Sequence, residues 1–149
     1  MDMKKTGAFL KALRKEKKYT QEELASLIRR KREDDFGGIL RLEVVERGTG
    51  GGISRLRIVG TKKTMVIGKE LEIRRSLSET HLYSSAFVVD YGEQDAEGLP
   101  TRFVITGAGW GHAVGMCQIG AAVMSREGYH FEEILGHYYK GSTIKQLYK

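Results

Sequence analysis

Residues 39–59 read ILRLEVVERGTGGGISRLRIV, and this stretch decides the fold. Leu40, Leu42 and Val44 alternate with Arg41, Glu43 and Val45, the period of a strand with one buried face. Gly48, Thr49, Gly50, Gly51 and Gly52 then make a flexible turn before Leu56, Arg57, Ile58 and Val59, so the segment is a hairpin. Working outward, a third strand fits residues 64–67 and a short helix residues 69–77. Two more strands fit residues 85–91 and 101–106, joined by a polar loop that holds the only proline, Pro100. Upstream, Phe9, Leu10 and Leu13, then Leu24, Leu27 and Ile28, recur at helical spacing, and Thr20 with Glu23 has the form of a capping box. These predict helices over 6–17 and 20–31. Downstream, residues 113–126 and 130–139 read as two helices divided by Gly128. Helices, then mostly antiparallel strands, then a glycine-rich loop leading into C-terminal helices make an α+β pattern.

A chain of 149 residues suffices for one compact domain with an appended arm, here a basic helical arm over 1–18 and a domain over 19–149. With 40% hydrophobic and 30% charged residues it can bury a core. No apolar run approaches the roughly 18 residues of a membrane span, and Met1 to Leu13 carries lysines but no apolar stretch of a secretory signal. The single cysteine, Cys117, excludes an internal disulfide and a thiolate zinc cluster. A net charge of +6 suggests an anionic partner. The charge gathers at Lys4, Lys5, Lys11, Arg14, Lys15, Lys17 and Lys18, and again from Arg29 to Arg32, runs that are usually solvated helix faces.

Three chemistries compete. The segment FLKALRKEKKYTQEELASLI imitates the first two helices of a helix-turn-helix, but Phe36, Gly37, Gly38 and a strand follow where a recognition helix is required, so nucleic acid is not an expected partner. Cys117, near the start of a predicted helix with His112 and His137 as bases, is a candidate reactive thiol, although a lone cysteine is commonly a small buried hydrophobe. The third candidate is GAGWGHAVGMCQIGAA, residues 107–122, where Gly107, Gly109 and Gly111 are spaced by two. Such positions permit unusual torsions or close approach of a ligand to the backbone. Trp110 can stack on a sugar or base, and His112 and Gln118 supply donors and acceptors. The alternative is tight helix-to-sheet packing with Trp110 in the core. The spacing does not match a nucleotide P-loop, and no lysine lies in the segment.

The run GWGHAVGMCQIGAAVMSREGYHFEEILGHYYKGSTI resembles the C-terminal signature of the SpoIID/LytB domain family, which acts on bacterial peptidoglycan. The likeness extends over Arg41 to Arg57, over the series Gly68, Leu71, Arg74, Leu77, Ser85 and Phe87, and over Tyr19 to Leu27, so it covers residues 19–146. DFGGIL, SETHLYSSAFVVD and a Cys before Gln118 are most similar to a Bacteroidetes branch. The resemblance implies lytic transglycosylase cleavage of glycan strands, with a periplasmic or cell-surface location, or, in related members, enhancement of a cell-wall amidase. Nothing in the chain resembles the section that carries the family's catalytic glutamate, nor the His and Cys residues that bind zinc in some members. Ala113, Ile119 and Lys140 also replace the family's usual Gly, Trp and Pro. The expectation is therefore the C-terminal part of such a protein, inactive alone and without metal or cofactor. Its Gly109, Trp110, Gly111, His112, Gly115 and Gln118 would form one wall of a glycan-binding cleft. The alternative is a non-catalytic module that binds an amidase through Lys15, Lys17 and Lys18.

Overall fold

A computed structural model describes residues 15–148 of the chain. It is an α+β protein that divides into two compact units, residues 1–113 and 114–149.

Among its described residues, the first unit holds β1 (Lys15–Thr20), α1 (Gln21–Arg32), β2 (Ile39–Arg47), β3 (Ile53–Gly60), β4 (Thr64–Gly68), α2 (Glu70–Ser76), β5 (Phe87–Tyr91) and β6 (Arg102–Gly107). They form two antiparallel sheets of three strands, in the orders β1-β6-β5 and β2-β3-β4. The helix expected over 6–17 is corrected where it can be seen: Lys15 to Lys17 lie in β1, and positions 6–14 fall outside the described residues. Pairing with β6, from Lys15 opposite Gly107 to Thr20 opposite Arg102, sets residues 15–20 as a strand.

The second expected helix forms with its signals in place. The Thr20 hydroxyl accepts the Glu23 amide at 3.2 Å, and the Glu23 carboxylate accepts the Thr20 amide at 2.8 Å, a closed capping box. Glu22 and Glu23 sit in the first turn and Arg29 to Arg32 in the last, the arrangement the helix dipole favours. Leu24, Leu27 and Ile28 face inward.

The hairpin β2–β3 is as expected, but its alternation is broken. Register shifts near Ile39, Val44 and Glu46 leave Ile39 and Leu42 buried and turn Val44 and Val45 outward. The core gathers Leu24 and Ile28 of α1, Ile39, Leu56 and Ile58 of one sheet, Phe87, Phe103 and Ile105 of the other, and Ile73 and Leu77 from α2 and its end. Tyr19 bonds the Leu77 carbonyl at 2.9 Å, and burial raises its phenol above the usual tyrosine range.

The second unit consists of α3 (Gln118–Arg126) and α4 (Phe131–Tyr138), with Gly128 between them at φ 95°. The helix expected from residue 113 begins only at Gln118, because Ala113 and Gly115 have φ of 57° and 80°, outside helical space. The Glu133 carboxylate reaches back to accept the His130 amide at 2.9 Å.

Candidate functional site

The site is built where β6 runs out. The Ala108 amide donates to the Ala86 carbonyl at 3.0 Å, and the Gly111 amide to the Tyr83 carbonyl at 2.8 Å. Ser84 and Gly111 form an isolated parallel bridge. The loop is thus tied at both ends to the strip 83–86, and the turns between are made by positive φ at alternate residues: Gly109 at 85°, Gly111 at 94° and Ala113 at 57°. The first two are conformations that glycine adopts without steric cost; Ala113 holds the third despite its Cβ.

This backbone carries Trp110 outward. Trp110 is 80% exposed, so the reading that buried it in the core is corrected. Its ring stacks on Tyr83, with centroids 4.6 Å apart and planes inclined by 22°. Two aromatic rings in that relation present a broad apolar face with polar edges. Tyr83 is fixed from behind. The Leu82 amide donates to the Arg74 carbonyl at 3.0 Å, and Arg74 Nε donates back to the Leu82 carbonyl at 2.7 Å. Arg74 is itself buried and ion-paired with Glu70 at 3.0 Å.

Tyr83 also borders a cleft of about 210 Å³ whose walls include Leu82, Phe87, Ile105 and Ala108. Glu16 and Lys17 stand at the same cleft, and among the described residues Glu16 is the only carboxylate lining it. Glu16 pairs with Lys18 at 3.0 Å, and Lys17 Nζ donates to Ser78 Oγ at 2.7 Å.

The residues expected to form one site divide between the two units. Gly109, Trp110, Gly111 and His112 belong to the first, with His112 exposed; Gly115, Cys117 and Gln118 belong to the second. Cys117 caps α3, its exposed Sγ accepting the Gly120 amide at 3.4 Å, which is a structural use of the thiol. Gln118 is the first residue of α3 and exposed. Among the described residues no group of three or more His, Cys, Asp or Glu could hold a metal ion, and no helix is long and apolar enough to cross a membrane. Tyr83 was missed by sequence reasoning. Only its place in SETHLYSS marked it, and no periodic spacing links it to Trp110.

A family model described as a domain of unknown function, DUF8618, matches residues 4–115. No curated protein matches the chain. No SpoIID/LytB family model matches, so the expected membership of that family is corrected. The matched span takes in all the upstream positions that carried the resemblance, whereas most of the glycine-rich signature lies in the second unit, beyond it.

Proposed function

The chain belongs to the DUF8618 family, a domain of unknown function, so its activity has to be argued from its own surface, and we propose that its first unit binds glycan strands without cleaving them. The observation that carries this reading is the Tyr83–Trp110 stack, held on a strapped loop with Trp110 80% exposed. A solvent-facing aromatic pair gains by covering its face, and the apolar side of a sugar ring fits it while the ring's hydroxyls stay at the polar edges. The neighbouring apolar cleft extends the contact to a substituent of the sugar. Glu16, the one carboxylate at that cleft among the described residues, is exposed and paired with Lys18, whereas a general acid for a glycosidic bond works from a desolvated site, and this supports binding over cleavage. Glycan strands of peptidoglycan are the proposed ligand, which places the work of the protein in the periplasm or at the cell surface. The amidase-binding alternative is less favoured, because Lys17 and Lys18 are engaged with Ser78 and Glu16.

The test is titration of the chain with peptide-free glycan strands, followed by calorimetry. Trp110→Ala is expected to weaken binding about tenfold or more, equivalent to about 1.4 kcal/mol. Because Trp110 is so exposed, the same change is expected to alter unfolding free energy by less than about 1 kcal/mol. Unchanged affinity in Trp110→Ala would refute the reading, as would shortening of the strands by the chain alone.

A further inference from the structure

The glycine turn Gly48–Gly52 closes the β2–β3 hairpin, and a hairpin needs no more than that from it. Its surroundings require more. A Cβ built on Gly50 would overlap the carbonyl oxygen of Ala113 and come within 3.1 Å of its carbonyl carbon. A Cβ on Gly52 would lie 2.8 Å from Ser85 Oγ and 3.3 Å from Ala113 Cβ. Gly51, between them, has φ 81° and nothing within 4 Å of its missing Cβ. Gly50 and Gly52 are therefore bare because other segments occupy the place of their side chains: the end of the Trp110 loop at Gly50, and Ser85 together with Ala113 at Gly52.

The turn is also anchored. Arg47 spans from the Gly51 carbonyl at 2.8 Å to the Phe87 carbonyl at 2.7 Å, and the Ile53 amide donates to the Ser85 carbonyl at 3.0 Å. Turn, strip 83–87 and loop 108–113 thus all touch one another, with the strip bonded to both. Ala113 adopts φ 57° in the same place, a conformation that costs a non-glycine residue about 1 kcal/mol or more and persists where the surroundings over-determine it.

We propose that Gly50 is a positioning residue for the Tyr83–Trp110 platform: the turn seats the Ala113 carbonyl and so fixes the loop that presents Trp110. The inference rests on the glycan reading for its functional meaning, but not for its test. Trp110 is the only tryptophan, so intrinsic fluorescence and its quenching by acrylamide report the platform alone.

Gly50→Ala and Gly51→Ala separate the two roles of the turn. Both strain or crowd the hairpin, but only Gly50→Ala pushes on Ala113. Gly50→Ala is expected to shift Trp110 emission, to change its quenching constant by about half or more, and to weaken glycan binding on the order of fivefold or more, since misplacement by about 1 Å is costly at a preorganised site. Gly51→Ala is expected to lower the melting temperature while leaving emission and affinity at the wild-type values. Adding Ala113→Gly to Gly50→Ala frees the carbonyl to move and is expected to restore the wild-type spectrum in part. Should Gly50→Ala fail to fold, Ala113→Gly alone serves, with increased quenching of Trp110 expected. A wild-type spectrum in Gly50→Ala, or equal effects of the Gly50 and Gly51 changes, would overturn the proposal. If the wild type binds no glycan, the glycan reading falls, and the fluorescence contrast still decides the role of Gly50.

Discussion

Trp110 and the glycines around it were legible in the sequence because the glycine spacing announces backbone freedom on either side of one large aromatic residue. What the spacing does not contain is which residues use that freedom. Positive φ falls on Gly109, Gly111 and Ala113, and the ring that completes the platform comes from Tyr83, far upstream. Charge at the residue scale yields a separate expectation. The Asp35 carboxyl accepts from Lys62 at 2.6 Å and from the Gly37 amide at 3.0 Å, and these bonds hold it below the usual carboxylate range. A carboxyl lowered by folding stabilises the protein above its unfolded value, and that contribution is lost as pH falls through the folded value. The wild-type melting temperature is therefore expected to fall more steeply below about pH 4 than that of Asp35→Asn. Parallel slopes in a pH series of thermal melts would show that the pair contributes nothing.

Among the elements, α1 was readable because its cap, charges and apolar face are all local, and the structure uses each of them. Thr20→Ala removes one half of the capping box and is expected to cost about 1 kcal/mol in denaturant unfolding, with no change in glycan affinity. β1 was misread for the opposite reason. Its lysines carry no strand signal of their own, and its identity is set by β6, which lies at the far end of the unit. The late start of α3 has a different cause. Ala113 and Met116 are good helix formers, but the backbone is turned by positive φ at Ala113 and Gly115 before the Cys117 cap begins the helix. In β2 the bulges displaced the apolar alternation, which sequence period alone cannot register.

At the scale of the molecule, the structural division after Ala113 and the end of the family match at residue 115 nearly coincide. The hydrophobic core lies within the first unit, whereas in the second the only buried large hydrophobic residue among those described is Ile134. A segment of that size with so little core does not hold itself together. Residues 1–113 expressed alone are expected to keep a single cooperative thermal transition, and residues 114–149 alone to show none, as followed by circular dichroism. Loss of the cooperative transition from the first fragment would contradict the division. The α+β class was legible from the order of periods along the chain, but family membership was not. A run of shared residue types in the C-terminal segment suggested one family, and the matching model, centred on the first unit, belongs to another.

The pairing of β1 with β6 also sets an order in time. Lys15 lies opposite Gly107, so the two ends of the first unit must meet before that sheet is complete, whereas β2, β3 and β4 are neighbours in sequence and pair locally. Contacts of such long sequence separation form slowly, because a large loop has to close first. During synthesis the hairpin sheet can assemble while the strand that leads into the Trp110 loop is still inside the ribosome. The face that carries Trp110 is thus the last part of this unit to mature.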